Sequence, residues 1–293
     1  MFIATLIASE TLAAGDLSAA LDRLAAAGCA PATSAWLEPD TAVDILFGVA
    51  PDAARAALEG VFPGVDIVVQ RAEGREKRLI VADMDSTMIT VECIDELADY
   101  AGIKPQIAAI TEAAMRGELD FEGALDARVA LLAGLDEAVI ARCLAERVTI
   151  MPGAIALVGT MRARGATAIL VSGGFTRFAE PVAAQIGFHR AIANRLELGG
   201  GVLTGRVTKP IVGSDTKLQT LRAATAELGL LPEQTLAVGD GANDLAMIRA
   251  AGLGVAYHAK PVVSAAAAAR IDHGDLSALL YAQGIARAQW VEP

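Results

Sequence analysis

The 293-residue sequence predicts an α/β protein: a parallel sheet with an inserted helical cap, preceded by a small βαββαβ unit. Three observations carry this. Leu79-Ile80-Val81-Ala82, Ala168 to Val171, Leu236 to Val238 and Leu253 to Ala256 are short, almost wholly apolar runs, as in strands covered by helices on both faces. Helical patterns follow them around Arg177 to Ile186, Lys217 to Leu228 and Asp244 to Ala250. The first 72 residues alternate strand and helix patterns on a different plan.

In that first unit, Phe2 to Ile7 is the opening strand and Leu17 to Ala27 an apolar-periodic helix, with Asp16 as its expected N-cap and Gly28 as its stop. Ala32 to Leu37 and Ala42 to Phe47 are strands joined by a turn at Glu38-Pro39-Asp40. Asp52 to Leu58 is a short helix and Val65 to Val69 the last strand. This order is the ferredoxin-like plan, with two helices on one face of an antiparallel sheet. Gln70 to Arg78 is charged and of mixed sign, and is expected to be a solvated connector between domains at 1–72 and 79–293.

In the second, Rossmann-like unit, the stretch between the first two core strands is much longer than an ordinary crossover. Ile94 to Ala145 carries helical patterns broken at Gly102, Gly117, Gly123 and Gly134, which predicts a helical cap over about 94–148. A second insertion, His189 to Thr208, places Gly199-Gly200-Gly201 between two strand-like runs and predicts a β-hairpin.

Composition narrows the function. A net charge of -11 argues against nucleic acid and anionic membrane as partners, since both require a basic surface. Cys29, Cys93 and Cys143 lack metal-ligand spacing and suit a reducing compartment. No apolar run has membrane-spanning length and the N-terminus lacks a basic leader, so a cytoplasmic location is expected. His189, His258 and His273 show no metal-binding spacing. Neither a GxxxxGK[ST] loop nor a GxGxxG fingerprint occurs, which lowers nucleotide-binding readings.

Ligands of open α/β sheets bind at the carboxyl ends of the strands, and Asp83, Ser172 and Asp240 all stand there. In Asp83-Met84-Asp85-Ser86-Thr87, two carboxylates two positions apart can face one cavity. Asp83 is the candidate nucleophile for a phosphoryl group, and Asp85 the acid that protonates the leaving alcohol and then activates water. Asp240 and Asp244, four apart across the start of a helix, suit Mg2+, which prefers hard oxygen ligands. Asn243 between them can hydrogen-bond the nucleophile or the ligand shell. Lys217 supplies fixed positive charge, while Ser172-Gly173-Gly174 offers a hydroxyl and backbone N–H groups as a phosphate cradle. Taken singly, each residue also suits a turn, a cap or solvated surface; the series favours phosphate transfer.

These motifs in this order resemble the haloacid dehalogenase superfamily, and the Ser86-Thr87 ending and the segments around Glu92 and Phe121 to Val129 resemble its phosphoserine-hydrolysing branch. That resemblance implies Mg2+ held by Asp83, the backbone carbonyl of Asp85 and Asp240, with Asp244 assisting. It implies Glu92 on the substrate ammonium and Arg128 on its carboxylate, with Ser172, Gly173, Lys217 and Asn243 completing substrate binding. The implied reaction is hydrolysis of O-phospho-L-serine through an aspartyl phosphate, the last step of serine biosynthesis. Alternatives are another small phosphomonoester, or transfer to an alcohol instead of water. The first domain resembles ACT-like domains, which implies an accessory or regulatory role; an amino-acid-sensing regulatory protein is the reading of a different class. A homodimer is left open.

Overall fold

The computed structural model describes residues 1–115 and 118–291. Gly117, expected as a helix break, and the last two positions of the second expected domain lie outside the described residues.

The N-terminal unit runs β1 (Phe2–Ala8), α1 (Asp16–Ala26), β2 (Pro31–Glu38), β3 (Ala42–Phe47), α2 (Pro51–Leu58) and β4 (Val65–Arg71). Its sheet has the order β2-β3-β1-β4 and every pair is antiparallel, the ferredoxin-like arrangement expected. α1 starts one residue earlier than expected. Gly15, in the left-handed region, is its N-cap, and Asp16 lies inside the first turn, where its carboxylate accepts the N–H of Ala13 at 2.8 Å. Asp16 therefore closes the preceding turn rather than capping the helix. The expected stop is present: Gly28 takes φ 74°, and the N–H groups of Gly28 and Cys29 return to Ala25 and Leu24.

The connector after β4 is not the solvated strand of charge that its composition suggests. Arg75 forms a 2.7 Å ion pair with the buried Asp44 of β3, which also accepts the Thr5 hydroxyl at 2.7 Å. Lys77 is buried, donating from Nζ to the carbonyls of Gly74 and Glu233, while its backbone N–H meets Gln283 Oε1 at 3.0 Å. Asp66 of β4 accepts N–H groups from Asp272, His273 and Gly274. Buried polar groups must find partners, and here each finds one across the connection.

The larger sheet contains β5 (Leu79–Ala82), β6 (Thr167–Phe175), β7 (Arg190–Asn194), β10 (Thr235–Gly239), β11 (Leu253–Tyr257) and β12 (Ala269–Ile271). Its order is β12-β11-β10-β5-β6-β7, all parallel. Alternation along β5 shows both faces covered: Leu79 and Val81 pack with Leu221, Ala224 and Met247, whereas Ile80 and Ala82 join Leu157 and Val158 in the other cluster. The helices responsible are α9 (Ser214–Glu227) and α10 (Leu245–Ala250) on one side, and α7 (Ala154–Ala163) with α8 (Thr176–Ile186) on the other.

Between β5 and β6, α3 (Cys93–Tyr100), α4 (Lys104–Met115), α5 (Phe121–Ala130) and α6 (Ala138–Arg147) form the helical cap. The hairpin of β8 (Leu196–Gly199) and β9 (Val202–Val207) turns through Gly200 and Gly201, both at positive φ, as a two-residue turn requires. It is fastened to the cap by the N–H of Gly134 to Leu203 O and that of Glu137 to Gly201 O. Residues after β11 form α11 (Pro261–Ser264) and α12 (Ala278–Ala282). Among the described residues, no helix is long and apolar enough to cross a membrane.

A candidate active site at the carboxyl edge of the sheet

The site begins where β5 stops. The backbone N–H of Asp83 bonds Val238 O at 3.0 Å, continuing the pairing with β10 and holding Asp83 in a buried position at the sheet edge. Lys217, brought from the first turns of α9, is fully buried with Nζ 2.7 Å from Asp83 Oδ1 and 2.6 Å from Asp244 Oδ1. Asp244 closes a single 3-10 turn, Ala242–Asp244, after β10. Its second oxygen accepts the Gly241 N–H at 3.0 Å, so both oxygens of Asp244 are engaged. This approach requires glycine at 239, where a Cβ would lie 2.4 Å from the Asp244 carboxylate.

Asp83, Asp240 and Asp244 each offer a carboxylate oxygen, and these atoms lie within 4.8 Å of one another. One lysine cannot neutralise three such groups. Burial first, and then neighbouring Asp244, push Asp83 well above the usual carboxylate range, and push Asp240 to about 6. Lys217 is held above its ordinary value, because Asp83 and Asp244 outweigh the opposing effect of burial. A hard divalent cation such as Mg2+ fits this excess of buried oxygen charge. Asp240 Oδ1 also receives the Thr87 hydroxyl at 3.3 Å.

Asp85 occupies a separate environment on the same wall. Its Oδ1 accepts the Cys93 N–H at 3.1 Å, and Oδ2 accepts the Ser172 hydroxyl at 3.5 Å. Burial, followed by the charge of Glu92, pushes its carboxyl up to about 7. The chain reaches this geometry through Ser86 at φ 54°, followed by Thr87, Met88 and Ile89, whose N–H groups all return to Met84 O. β6 continues through Phe175, so Ser172, Gly173 and Gly174 lie within the strand rather than after it. Ser172 is buried and also accepts the Gly174 N–H at 2.8 Å. A Cβ at Gly174 would lie 2.7 Å from Asp85 Oδ2, so this glycine admits the carboxylate.

Asp83, Asp85, Asp240, Glu92 and Arg128 line one cavity of about 130 Å3, together with Gly173, Gly174 and Asn243. Glu92 is exposed at the start of α3 and accepts the Ser86 hydroxyl at 2.6 Å. Arg128 of α5 is half-buried, with Nε donating to Ala124 O, and its nearby carboxylates are Asp95, Glu92 and Asp85. Phe121 reaches the cavity from the cap. Its ring reaches within 3.1 Å of where a Gly173 Cβ would stand and 3.2 Å of that at Gly213.

Lys260, which motif spacing did not single out, also lines this cavity. The available signal was its place: like Asp83 and Asp240 it follows an apolar strand, here β11, and its N–H bonds Asp240 O at 3.2 Å. The histidines have framework partners or lie away from this cavity; His189 accepts the Ala168 N–H and His258 meets Gly274 O. The three cysteines are buried free thiols.

The model of the haloacid dehalogenase-like hydrolases matches residues 80–249. The chain is 47% identical over 256 residues to a phosphoserine phosphatase of Streptomyces coelicolor, covering 86% of this chain but only 62% of that protein's length. A haloacid dehalogenase family hydrolase from Salmonella enterica serovar Typhi superposes with a TM-score of 0.84 at 30% identity, over 96% of this chain and 98% of that one. A phosphoserine phosphatase solved as a phospho-aspartyl intermediate analogue is 37% identical, with a TM-score of 0.65 over 70% of this chain and 98% of its own.

Proposed function

The chain belongs to the haloacid dehalogenase-like hydrolase family, and from that membership we propose that it hydrolyses O-phospho-L-serine to L-serine and phosphate. The observation that carries this reading is the division of labour between two carboxyls, Asp83 buried and Asp85 half-buried. Asp83 is paired with the Lys217 ammonium at 2.7 Å, whereas Asp85 is held by Cys93 and Ser172, and burial with the charge of Glu92 pushes it up to about 7. Groups with such separated environments suit a nucleophile and an acid/base.

Asp83, Asp240 and the Asp85 carbonyl, with Asp244 assisting, would hold Mg2+, which when bound would supply positive charge against the phosphoryl oxygens. Asp83 attacks phosphorus through a carboxylate oxygen while the bond to the seryl oxygen breaks. Asp85 gives that oxygen its proton, and serine leaves. Asp85 then takes a proton from water, whose oxygen attacks the aspartyl phosphate and releases inorganic phosphate. Lys217 steadies the carboxylate of Asp83 and the transferring group, while Gly173 borders the cavity on the phosphate side and the Gly174 N–H is spent on orienting the Ser172 hydroxyl. Glu92 answers the substrate ammonium and Arg128 its carboxylate through paired hydrogen bonds. Asn243 orients the bound phosphate. On substrate binding the cap, with Phe121 at the cavity mouth, shields the phosphoryl transfer from bulk water.

On this reading residues 79–293 are the phosphatase unit and 1–72 an ACT-like accessory unit, working in the cytoplasm at the last step of serine biosynthesis. Asp83→Asn tests the core of it. Turnover of phosphoserine with Mg2+ should disappear while circular dichroism and the melting profile remain those of a folded protein. Near wild-type phosphate release would overturn the assignment.

A further inference from the structure

Outside the inner cavity lies a second, larger one of about 640 Å3, within the ordinary range for small-ligand sites. Phe121, Arg128, Asn243 and Lys260 line both, so they form the throat between them. Two of the four are cations, one from the cap and one from the core, and neither forms an ion pair among the described residues. The outer walls are largely apolar: Ala114 and Leu119 come from the cap side and Val262 from α11. Leu119 and Val262 are 37% and 58% exposed, so this apolar surface is open to a ligand.

Position decides what such a ligand is. In the proposed function the phosphate lies deep, by Asp83 and Lys217, the ammonium is near Glu92, and the carboxylate is on Arg128. Arg128 stands at the throat, so whatever is joined to that carboxylate carbon projects into the outer cavity. We propose that the outer cavity is a subsite for the second residue of a peptide beginning with phosphoserine, and that an apolar side chain is preferred there. The free N-terminal ammonium is retained for Glu92, the new amide carbonyl accepts from Arg128, and the dipeptide's own carboxylate is offered to Lys260. The reaction is unchanged: the bond between phosphorus and the seryl oxygen breaks, water supplies the proton and the hydroxyl, and the peptide bond is untouched.

This inference rests on the phosphoserine reading, and initial rates on three substrates separate the two. Phosphoserine itself tests the proposed function. Phosphoseryl-leucine against phosphoseryl-glycine tests the subsite, with kcat/KM for the leucine peptide expected to be higher by about tenfold, the scale of one buried aliphatic side chain. Val262→Asp should reduce that ratio to near one. Lys260→Ala should weaken the leucine peptide more than phosphoserine, chiefly through KM, with Lys260→Arg restoring it. A leucine-over-glycine ratio below about threefold, a ratio that Val262→Asp leaves intact, or no turnover of either dipeptide overturns the subsite, whether or not phosphoserine is hydrolysed.

Discussion

Lys217 Nζ stands 2.7 Å from Asp83 Oδ1 at a position with no solvent exposure. The same ammonium binds Asp244, so its removal leaves two buried carboxylates facing each other. Lys217→Ala should cost about 3–5 kcal/mol of stability, the penalty typical of breaking a buried ion pair from one side. Urea denaturation measures this, and a loss below about 1 kcal/mol would contradict the proposed electrostatic balance.

Asp85, pushed up to about 7 by burial and the charge of Glu92, is the proposed source of the leaving group's proton. The protonated form prevails below that pH, so kcat/KM for phosphoserine should fall by about tenfold per unit above it. A p-nitrophenyl ester needs no such proton, because its leaving group is a weak base. Its profile should lack this basic limb, and identical limbs for both substrates would exclude Asp85 as the acid.

Arg128 reaches the cavity from the cap without touching the Asp83 cluster. Arg128→Ala should raise KM for phosphoserine by roughly 10- to 100-fold, the worth of a charge-assisted hydrogen bond. An aryl phosphate, lacking a carboxylate, should be affected by less than about threefold on the same scale. Equal losses on the two substrates would remove Arg128 from carboxylate recognition.

Gly239 faces Asp244 so closely that Gly239→Ala would place a methyl group 2.4 Å from its carboxylate. Asp244 must then move, taking Lys217 with it. The Mg2+ concentration needed for half-maximal activity should rise several-fold, about 1 kcal/mol or more in coupling energy. An unaltered Mg2+ titration would show that Asp244 has no part in holding the metal environment.

Lys77 is pushed down from its ordinary 10.5 to about 8, chiefly by burial. Between these values the unfolded chain binds more protons than the folded one, so this residue's contribution to stability rises with pH from about 8 to 10.5. It is lost again as pH falls through 8. Denaturation of wild type and Lys77→Met across that interval should show their difference shifting in favour of the wild type. A constant difference would mean that Lys77 titrates normally.

Much of this molecule is legible in its sequence. Runs such as Leu79-Ile80-Val81-Ala82 are apolar on both faces, which only a doubly covered strand explains, and polar residues at the ends of such runs mark a ligand edge. The hairpin was legible because Gly200 and Gly201 supply the positive φ that its turn demands. Asp16 lies one position inside the helix it is expected to cap, because a carboxylate can close the turn before a helix as readily as it caps the helix. Lys77 and Arg75 resemble solvated charge in any linear view; their partners Glu233, Gln283 and Asp44 are distant in sequence.

The sequence by itself determined the two-part α/β plan, the sheet edge where the candidate site lies and the pair Asp83 and Asp85 on it, since these depend on local periodicity and residue type. Tertiary structure decided which groups share charge. Only folding brings Lys217 from α9 between Asp83 and Asp244, commits Ser172 to Asp85, and sets Lys260 and Arg128 on the lining of one throat. Coulombic coupling and desolvation depend on distance in space and on the exclusion of water, and neither is a property of neighbours along the chain.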